Sequence, residues 1–551
     1  MATNTSPISR ILKLVKLERK EITAVYIYAI LNGLIQLSLP LGVQAIIGFV
    51  LGASMRASLI ILITLIVLGV LVVGIMQVNQ IKIIEKIQQK LFVRYAFAFA
   101  EHIPKLDLKK TDNIYLPELV NRFFDIPVLQ KSLSKILLDI PIASIQILFG
   151  LILLSFYHPA FILFGIILIF LLWLILRYTG NNGLQTSLDE SSYKYKVAGW
   201  LEEAARVIKS IKLAKSNDLH LHKTDESVIG YLKARNSHFK ILLFQYNLLV
   251  LFKTIITAAV LIVGTLLMVN QKLNVGQFVA AEIVILLVLN SVEKLIMNLE
   301  SVYDTLTSVE KIGSFIDKPT EQNGSFQLSK LSKGLKLEMR DVSFSYNDQT
   351  DVLKNISLQI NSGEKICIMG NNSSGKSTLL RLLAGAYTDF KGSILLDDLP
   401  INNYDLDSIR SQTGVLLNEQ DIFHGTLWEN ISLGYNNINL ETVIDYAAKV
   451  GLTDFIATLK NGFDTILDPN GKQLPSNVAH KILLVRALAG KPRLLLLEDP
   501  WRNTEDIYRR KIIQLLSEIK DTTMIIVTND GEFATKCDKT ITMKEGSVFI
   551  K

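Results

Sequence analysis

The sequence predicts a multi-domain membrane protein, in which an all-α domain of six transmembrane helices precedes a soluble α/β domain. Six apolar stretches, each long enough to cross a bilayer, lie in the first part of the chain. Strand and helix patterns alternate from residue 335 onward, as in an α/β domain built around a mainly parallel sheet. The length of 551 residues also exceeds that of one ordinary domain.

Composition agrees with a membrane half and a soluble half. Apolar residues make up 49% of the chain and the mean hydropathy is +0.33, which is high for a soluble protein. The net charge of +7 comes from basic residues that lie largely beside apolar segments, so it indicates membrane orientation and no nucleic-acid partner. Cys367 and Cys537 are the only cysteines, and the first lies in a predicted buried strand, so we expect no disulfide framework.

The membrane domain is predicted to occupy residues 1–312. Pro40 lies inside the first span, so we expect a kink or tilt there. Three connections between spans are short and two, residues 77–135 and 177–240, are long and charged. The six predicted spans are residues 22–50, 57–76, 136–157, 160–176, 242–269 and 278–297.

Basic residues predict the orientation of these spans. The short connections hold only Arg56 and Lys272, whereas the long connections and the N-terminus are rich in Lys and Arg. The long connections, both termini and the soluble domain are therefore predicted to face the cytoplasm, in a multi-pass protein of the inner (cytoplasmic) membrane. Residues 1–21 are polar and basic without a cleavage site, so we expect no cleaved signal peptide.

The long connections carry apolar residues at helical spacing, so the spans are expected to continue into the cytoplasm as long helices. We expect each connection to turn back once, near residues 117–124 and near residues 195–203. Within the spans, Asn32 and Gln36 share one face of the first, and Glu282, Asn290 and Glu293 share one face of the sixth. These polar groups either make packing contacts or line a pathway. Residues 313–334 are predicted to be a linker.

The soluble domain, residues 335–551, is predicted to have the P-loop NTPase fold. A short apolar strand, a loop of the form G-x-x-x-x-G-K-S and a helix follow one another, which is the context of a phosphate site. Lys376 would reach the terminal phosphates of ATP and Ser377 would hold Mg²⁺. Ser373 stands where many such loops have a further glycine. The alternative is a loop that merely opens a helix. The predicted nucleotide-binding loop comprises Gly370, Asn371, Asn372, Ser373, Ser374, Gly375, Lys376, Ser377 and Thr378.

The order of motifs around this loop resembles the nucleotide-binding domain of ATP-binding cassette (ABC) transporters. Those motifs lie at residues 341–346, 352–358, 363–365, 423–431, 461–465, 486–488 and 494–497. With six spans ahead of it, nearly the whole chain looks like an exporter-type half-transporter. Residues 274–281 also resemble the entry to the last span in the toxin and protein exporters of type I secretion.

The resemblance implies a role for five further positions, and most of them depart from the family pattern. Tyr346 matches the aromatic ring that stacks on adenine. The acidic pair that holds the metal and acts as general base is reversed, as Glu498 for the metal and Asp499 for the base. Asn418 replaces the glutamine that senses the metal site, and Asn529 replaces the histidine that contacts the γ-phosphate.

The family signature Leu-Ser-Gly-Gly-Gln appears here as Leu-Pro-Ser-Asn-Val at residues 474–478. Both glycines are missing, and with them the close backbone approach to the γ-phosphate bound by an opposing subunit. The base is also shorter by one methylene, and a displacement of about 1 Å can cost on the order of 10²-fold in rate. The resemblance therefore implies that ATP binding persists while hydrolysis is weakened.

Three interpretations stay open. In the first, the chain is an exporter subunit with a weakened motor that moves a substrate across the cytoplasmic membrane. Because six spans are half of the family's usual set, it would form a homodimer, or a heterodimer with another ABC half-transporter. In the second, it is a non-hydrolysing, ATP-binding membrane regulator or scaffold. In the third, it is an ordinary homodimeric ATPase exporter that uses Asp499. The sequence does not name the transported substrate.

Overall fold

The computed structural model describes residues 6–52, 56–112, 114–214, 218–331, 333–347, 350–418, 420–468 and 474–550. The contacts divide the chain into two compact units. The first comprises Met1–Lys105 and Asn113–Lys318, and the second comprises Leu106–Asp112 and Pro319–Lys551. The domain boundaries predicted from the sequence, with a linker over residues 313–334, stay a prediction. The helix Leu299–Ile316 ends inside this predicted linker.

The described chain is helical up to residue 316. Six of its helical stretches are long and apolar enough to cross a membrane, which confirms the predicted class of the first domain. The helices are α1 (Pro7–Leu17), α2 (Arg19–Gln36), α3 (Ser38–Leu51), α4 (Arg56–His102), α5 (Leu108–Thr111), α6 (Leu116–Val120), α7 (Asp125–Tyr157), α8 (Ala160–Arg206), α9 (Ile208–Leu213), α10 (Leu219–Val269), α11 (Val275–Met297) and α12 (Leu299–Ile316).

The first span is interrupted, as Pro40 predicts. Helix α2 ends at Gln36, α3 begins at Ser38, and Pro40 lies in the first turn of α3. A proline lacks the N–H that would bond to the carbonyl four residues earlier, and its ring clashes with that carbonyl. The carbonyl concerned belongs to Gln36, so the break falls where this clash requires it. In the short connection that follows, residues 53–55 lie outside the described residues.

Three of the spanning helices continue far beyond a bilayer. Helices α4 and α8 have 47 residues each and α10 has 51. At about 1.5 Å per residue, each is roughly 70 Å long, against roughly 30 Å for the hydrocarbon core. The predicted continuation of the spans as long helices is therefore confirmed.

The two predicted turns differ in outcome. Near residues 117–124, the chain does break into short pieces, α6 and a 3₁₀ helix at Asn121–Phe124, before α7 begins. The turn predicted near residues 195–203 is wrong, because that segment lies inside α8. It contains no proline, and its one glycine, Gly199, costs a helix only about 1 kcal/mol. Helix α8 ends only at Arg206, after which α9 and α10 follow.

Polar side chains link three spans of the first unit. Gln36 donates to Asn32 Oδ1 at 3.2 Å, so the predicted common face of these two residues is confirmed. Gln146 of α7 donates to Gln36 Oε1, and it accepts a hydrogen bond of 2.7 Å from Ser291 of α11. Because polar groups away from water must find partners, this chain of amides fixes how α2, α7 and α11 pack.

One polar residue of the sixth span makes a packing contact, and the lining of a pathway stays a prediction. Glu293 pairs with Lys253 of α10 at 2.6 Å, which is a packing contact. Glu293 and Asn290 also line a cavity of about 870 Å³ beside α7 and α11. Glu282 lies outside the residues that line this cavity.

The second unit is an α/β domain, as predicted. Its six-stranded sheet has the order β12-β11-β3-β10-β9-β6, and β3 pairs in parallel with β10 and β11. A four-stranded sheet, β2-β1-β4-β5, and the pair β7-β8 complete it. The strands are β1 (Leu337–Phe344), β2 (Leu353–Ile360), β3 (Lys365–Gly370), β4 (Lys391–Leu396), β5 (Leu399–Pro400), β6 (Thr413–Leu416), β7 (Gly425–Thr426), β8 (Ile466–Leu467), β9 (Leu494–Glu498), β10 (Thr523–Val527), β11 (Lys539–Lys544) and β12 (Ser547–Ile550).

Helices cover the central sheet, so its inner strands are continuous apolar runs. Every residue of β9 and β10 is buried. Because β3, β9 and β10 are parallel neighbours, the loops that follow them open at one edge, where ligands bind in such sheets. Cys367 and Cys537 are free thiols, as expected. The helices are α13 (Lys376–Leu383), α14 (Leu406–Arg410), α15 (Leu427–Ser432), α16 (Leu440–Val450), α17 (Thr453–Thr458), α18 (Ser476–Ala489), α19 (Asp506–Glu518) and α20 (Gly531–Ala534).

The packing of α8 on α12 yields a stability prediction. A Cβ added at Gly183 would lie 2.3 Å from Cζ of Tyr303, a ring that is 3% exposed and whose hydroxyl accepts a hydrogen bond from Gln245. Gly183→Ala should therefore destabilise the protein by about 1–3 kcal/mol, as overpacking of a filled core does. The measurement is the thermal unfolding midpoint of the purified chain in lipid nanodiscs.

The matched control for this change lies on the same helix. A Cβ added at Gly180 meets nothing within 4 Å. Gly180→Ala should leave the midpoint unchanged or raise it, because alanine favours a helix over glycine. Equal midpoints for the two variants would contradict the close approach of α8 to Tyr303.

Candidate functional site

The predicted phosphate loop connects β3 to α13. Gly370 ends the strand with φ 149° and Gly375 precedes the helix with φ 98°. A Cβ on Gly370 would lie 2.3 Å from the carbonyl oxygen of Met543, so only glycine fits there. Ser373 takes a φ of 62°. This serine adopts the left-handed conformation that a glycine would take at less cost, so the loop forms in spite of the substitution.

Lys376 lies over the loop that it follows. Its Nζ donates to the carbonyl oxygens of Gly370 at 2.8 Å and Asn371 at 2.6 Å. Burial lowers the pKa of Lys376 below that of an exposed lysine. Lys376 is also the first residue of α13, and the first turn of a helix presents backbone N–H groups that lack partners within the helix. A cation and these N–H groups at one helix start suit a phosphate group.

Ser377 and Glu498 form an oxygen pair beside the loop. Ser377 Oγ donates to Glu498 Oε1 at 2.6 Å, and the backbone N–H of Asn418 donates to Glu498 Oε2 at 3.2 Å. Mg²⁺ prefers oxygen ligands and is commonly held by one or two carboxylates together with substrate phosphates. The donor set at this position therefore fits Mg²⁺.

The side chain of Asn418 has a partner of its own. Its Oδ1 accepts a hydrogen bond of 2.8 Å from Nη1 of Arg502. Arg502 lies on the turn after β9, and sequence patterns did not single it out. The one feature of the sequence that could have indicated Arg502 is its place as a basic residue four positions after Glu498, the acid predicted to contact the metal.

Asp499 follows β9 directly and lies in a strained part of the backbone. Its φ is 43°, its N–H donates to the carbonyl of Val527 at 2.9 Å, and its carbonyl accepts from Nε2 of His480 at 3.0 Å. Burial, followed by the charge of Glu498, raises the pKa of Asp499 above that of an exposed aspartate. A raised pKa makes this carboxylate a stronger base, which works against the loss of reach from its shorter side chain.

Asn529 contacts the phosphate loop through its side chain. Its Oδ1 accepts a hydrogen bond of 3.2 Å from the backbone N–H of Gly370. The residue follows β10, whose register beside β3 brings it to the loop. Since an amide carries no charge, Asn529 adds no positive charge to the site.

A cavity of about 730 Å³ opens among these residues. Tyr346, Gly370 and Asn371 lie outside the set that lines it. Val352, Arg502, Val527 and Thr528 line it without having been predicted. The predicted site residues that line it are Asn372, Ser373, Ser374, Gly375, Lys376, Ser377, Thr378, Asn418, Glu498, Asp499 and Asn529.

Tyr346 is held by its own neighbours. Its hydroxyl shares a hydrogen bond of 2.9 Å with Thr378 and accepts one of 3.0 Å from Arg381. Its ring packs nearly perpendicular to those of Phe344 and Tyr387. The predicted stacking of this ring on adenine stays a prediction.

The segment at the family signature begins a helix without a side-chain cap. Pro475 stands at the N-cap of α18, where it offers no hydrogen-bonding side chain. Asn477 Oδ1 accepts from the N–H of Val478 at 2.9 Å, and Val478 is buried in the core of the domain. The preceding residues 469–473 lie outside the described part of the chain. The side chains of Asn477 and Val478 are thus engaged with their own helix and with the core of the domain.

Two family models match the chain next to one another. One, described as the ABC transporter transmembrane region, matches residues 22–292, and the other, described as ABC transporter, matches residues 353–502. The match to the transmembrane region lies in the first unit apart from Leu106–Asp112, and the other match lies within the second unit.

Individual proteins are similar in the same regions. The cyclolysin secretion/processing ATP-binding protein CyaB of Bordetella pertussis (strain Tohama I) is 31% identical over 328 residues, which are 59% of this chain and 46% of that protein. The alpha-hemolysin translocation ATP-binding protein HlyB of Escherichia coli O157:H7 is 27% identical over 355 residues, 63% of this chain and 50% of that protein. The chain thus spans about half the length of these relatives.

A solved structure has the same fold. The bacterial Atm1-family ABC exporter with ATP bound superposes with a TM-score of 0.83 at 17% sequence identity, over 96% of this chain and 94% of that one. The resemblance inferred from the motif order is therefore confirmed. The chain belongs to the ABC transporters, as a multi-pass membrane protein that joins an exporter-type transmembrane domain to one nucleotide-binding domain.

Proposed function

We propose that the chain is a subunit of an ABC exporter that binds ATP with Mg²⁺ and moves a substrate across the cytoplasmic membrane, with weakened ATP hydrolysis. The observation that supports the proposal is that the residues for phosphate and metal binding are present in the cavity, whereas residues for hydrolysis are substituted. The groups that bind phosphate and metal, Lys376, Ser377 and Glu498, are present and converge. The groups that would drive hydrolysis, at Asp499, Asn529 and the start of α18, differ from the family pattern.

Different residues of the site would bind the phosphates, the Mg²⁺ ion and the attacking water. The N–H groups at the start of α13 and the ammonium of Lys376 would hold the phosphates, in exchange for the carbonyl contacts that Lys376 now makes. Ser377 and Glu498 would hold Mg²⁺, which neutralises charge on the phosphate oxygens. Asp499 would orient water and accept its proton, from a position one methylene further back than a glutamate reaches.

A dimer is the assembly that this site requires. ABC exporters function as dimers, and in the family each nucleotide lies between the phosphate loop of one domain and the signature of the other. This chain is altered on both faces, at Asp499 and Asn529 on one and at Pro475 and Val478 on the other. A homodimer would therefore contain two weakened sites, and a heterodimer with a competent half-transporter would still contain one altered face at each site.

The membrane topology supports the same assignment. The positive charge of the long connections favours their placement, and that of the nucleotide-binding domain, on the cytoplasmic side of the inner membrane. The relatives CyaB and HlyB are named for secretion of cyclolysin and translocation of alpha-hemolysin. By this likeness we propose an exported substrate, with its chemical class left open.

A non-hydrolysing regulator is the second candidate function. The buried Val478 and the capless start of α18 favour it, because a signature that packs into its own domain cannot wrap an opposing nucleotide. An ordinary homodimeric ATPase exporter is the third, and the raised pKa of Asp499 favours it.

The binding prediction tests the phosphate site. Lys376→Ala should lower the affinity of the full-length chain for Mg-ATP by about 10- to 100-fold, since a charged hydrogen-bond donor is lost. Lys520→Ala, an exposed lysine elsewhere on the same domain, is the matched control and should change nothing. The measurement is nucleotide affinity in lipid nanodiscs. Equal affinities for wild type and Lys376→Ala would refute the phosphate site.

The turnover prediction separates the candidate functions. The purified chain alone should hydrolyse ATP at least about 10²-fold more slowly than ordinary exporters, because Asp499 and the signature depart together. Phosphate release, with and without the half-transporter encoded nearest to it, is the measurement. A robust rate for the chain alone that disappears in Asp499→Asn would favour the ordinary exporter.

The third prediction of this section tests which of the substitutions relative to the family pattern weaken ATP hydrolysis. Changing the acidic pair and the γ-phosphate contact back to the family pattern should give little turnover in a homodimer, because the opposing signature is still altered. Adding the signature changes should then give a clear gain in phosphate release. The first set is Glu498→Asp, Asp499→Glu and Asn529→His. The second set is Pro475→Ser, Ser476→Gly, Asn477→Gly and Val478→Gln.

Two results would contradict this order of effects. Full turnover with the first set alone would show that the signature is not limiting. No turnover with all seven changes, in a folded protein that binds ATP, would place the block elsewhere, at Ser373 or Asn418. Folding is checked by the unfolding midpoint, because Val478 is buried.

A further inference from the structure

Arg502 is a cation of the nucleotide cavity to which the family roles considered above assign no function. It lines the same cavity as Lys376 and Asp499. Its guanidinium donates from Nη1 to Asn418 Oδ1 at 2.8 Å. Among the residues that the structure describes, this is the one side-chain partner of Arg502, so most of its five N–H donors are available to a ligand.

The backbone holds Arg502 at this rim. The N–H of Arg502 donates to the carbonyl of Asp499 at 2.9 Å, and the N–H of Thr504 donates to Trp501 at 3.1 Å. Trp501 is 9% exposed, and its ring packs against Phe533 at 5.3 Å. A turn anchored on a buried indole presents its next residue at a fixed position. The side chain is therefore held beside the cavity by two tethers, the turn and Asn418.

Charge in the cavity points to the ligand. Among the described residues, the charged side chains that line it are Lys376, Arg502, Glu498 and Asp499, and their formal charges cancel. Without Arg502 they would sum to −1 and would repel a polyphosphate. Lys376, Arg502 and Asp499 line the same cavity. In the family, the general base at the position of Asp499 faces the terminal phosphate, so both cations share a cavity with the expected place of that phosphate.

We propose that Arg502 binds the terminal phosphate of a nucleoside triphosphate, so that this site retains ATP even when Mg²⁺ is removed. The proposal rests on the function proposed above, because it assumes that nucleotide binds at Lys376. A guanidinium is planar, stays charged at any physiological pH and matches the oxygens of a phosphate. It would supply the positive charge that neutral Asn529 cannot. Asn418, whose amide oxygen holds Arg502, acts here as a positioning residue.

The contact with the terminal phosphate also predicts a preference between nucleotides. ADP lacks that phosphate, so Arg502 should contribute to ATP binding and not to ADP binding. A residue that only holds Asn418 in place would affect the two nucleotides alike. The comparison of ATP with ADP therefore separates a ligand contact from a structural role.

The experiment measures ATP and ADP affinity of the full-length chain in lipid nanodiscs, with Mg²⁺ and with EDTA. Wild type should bind ATP in EDTA. Arg502→Gln, which keeps a donor for Asn418, should lower that affinity by about 10- to 100-fold and leave ADP affinity unchanged. Arg502→Lys should retain most of the ATP affinity because it keeps the charge. Arg510→Gln, an exposed arginine on α19, is the matched control for net charge and should match wild type.

Three results would overturn the proposal. They are unchanged metal-free ATP binding in Arg502→Gln, equal losses for ATP and ADP in that variant, and a wild type that binds Mg-ATP but no ATP in EDTA. Each leaves the function proposed above intact, provided that Lys376→Ala still loses nucleotide. Failure of wild type to bind Mg-ATP at all would instead refute that function, and the role of Arg502 with it.

Discussion

The carboxylate of Glu498 is the interaction on which the rest of the nucleotide site depends. One oxygen accepts from Ser377 at the start of α13, and the other accepts from the backbone of Asn418 after β6. The last residue of a fully buried strand thereby fixes two separate segments at once. Without this carboxylate, the start of α13 and the segment after β6 would lose the hydrogen bonds that hold both of them to the end of β9. An acid is retained at this position, as glutamate, so the oxygen pair that fits Mg²⁺ is present.

Apart from Ser373, the altered residues lie outside the phosphate loop. The phosphate loop belongs to β3 and α13, whereas the changes lie at the turn after β9, after β10 and at the start of α18. Asp499 and His480 connect two of these elements through one hydrogen bond of 3.0 Å. Changes at Asp499, Asn529 and the start of α18 therefore leave the residues of the phosphate loop in place.

Much of the fold could be predicted because its signals are local. Apolar length predicted the spans, Pro40 predicted the break between α2 and α3, and the glycine loop predicted the strand, turn and helix around Lys376. The prediction of a turn near residues 195–203 was wrong, since that segment contains no proline and α8 continues through it to Arg206. Arg502 escaped prediction for a related reason, because its partner Asn418 is 84 residues away in the chain.

The long helices of the first unit have a mechanical consequence. Helices α4, α8 and α10 are unbroken over 47 to 51 residues. A rod of roughly 70 Å that tilts by about 5° about one end displaces its far end by roughly 6 Å. Such rods act as levers that amplify a small rotation into a movement as large as an amino-acid side chain. Their stiffness then decides how much of a rotation at one end is delivered at the other and how much is lost to bending.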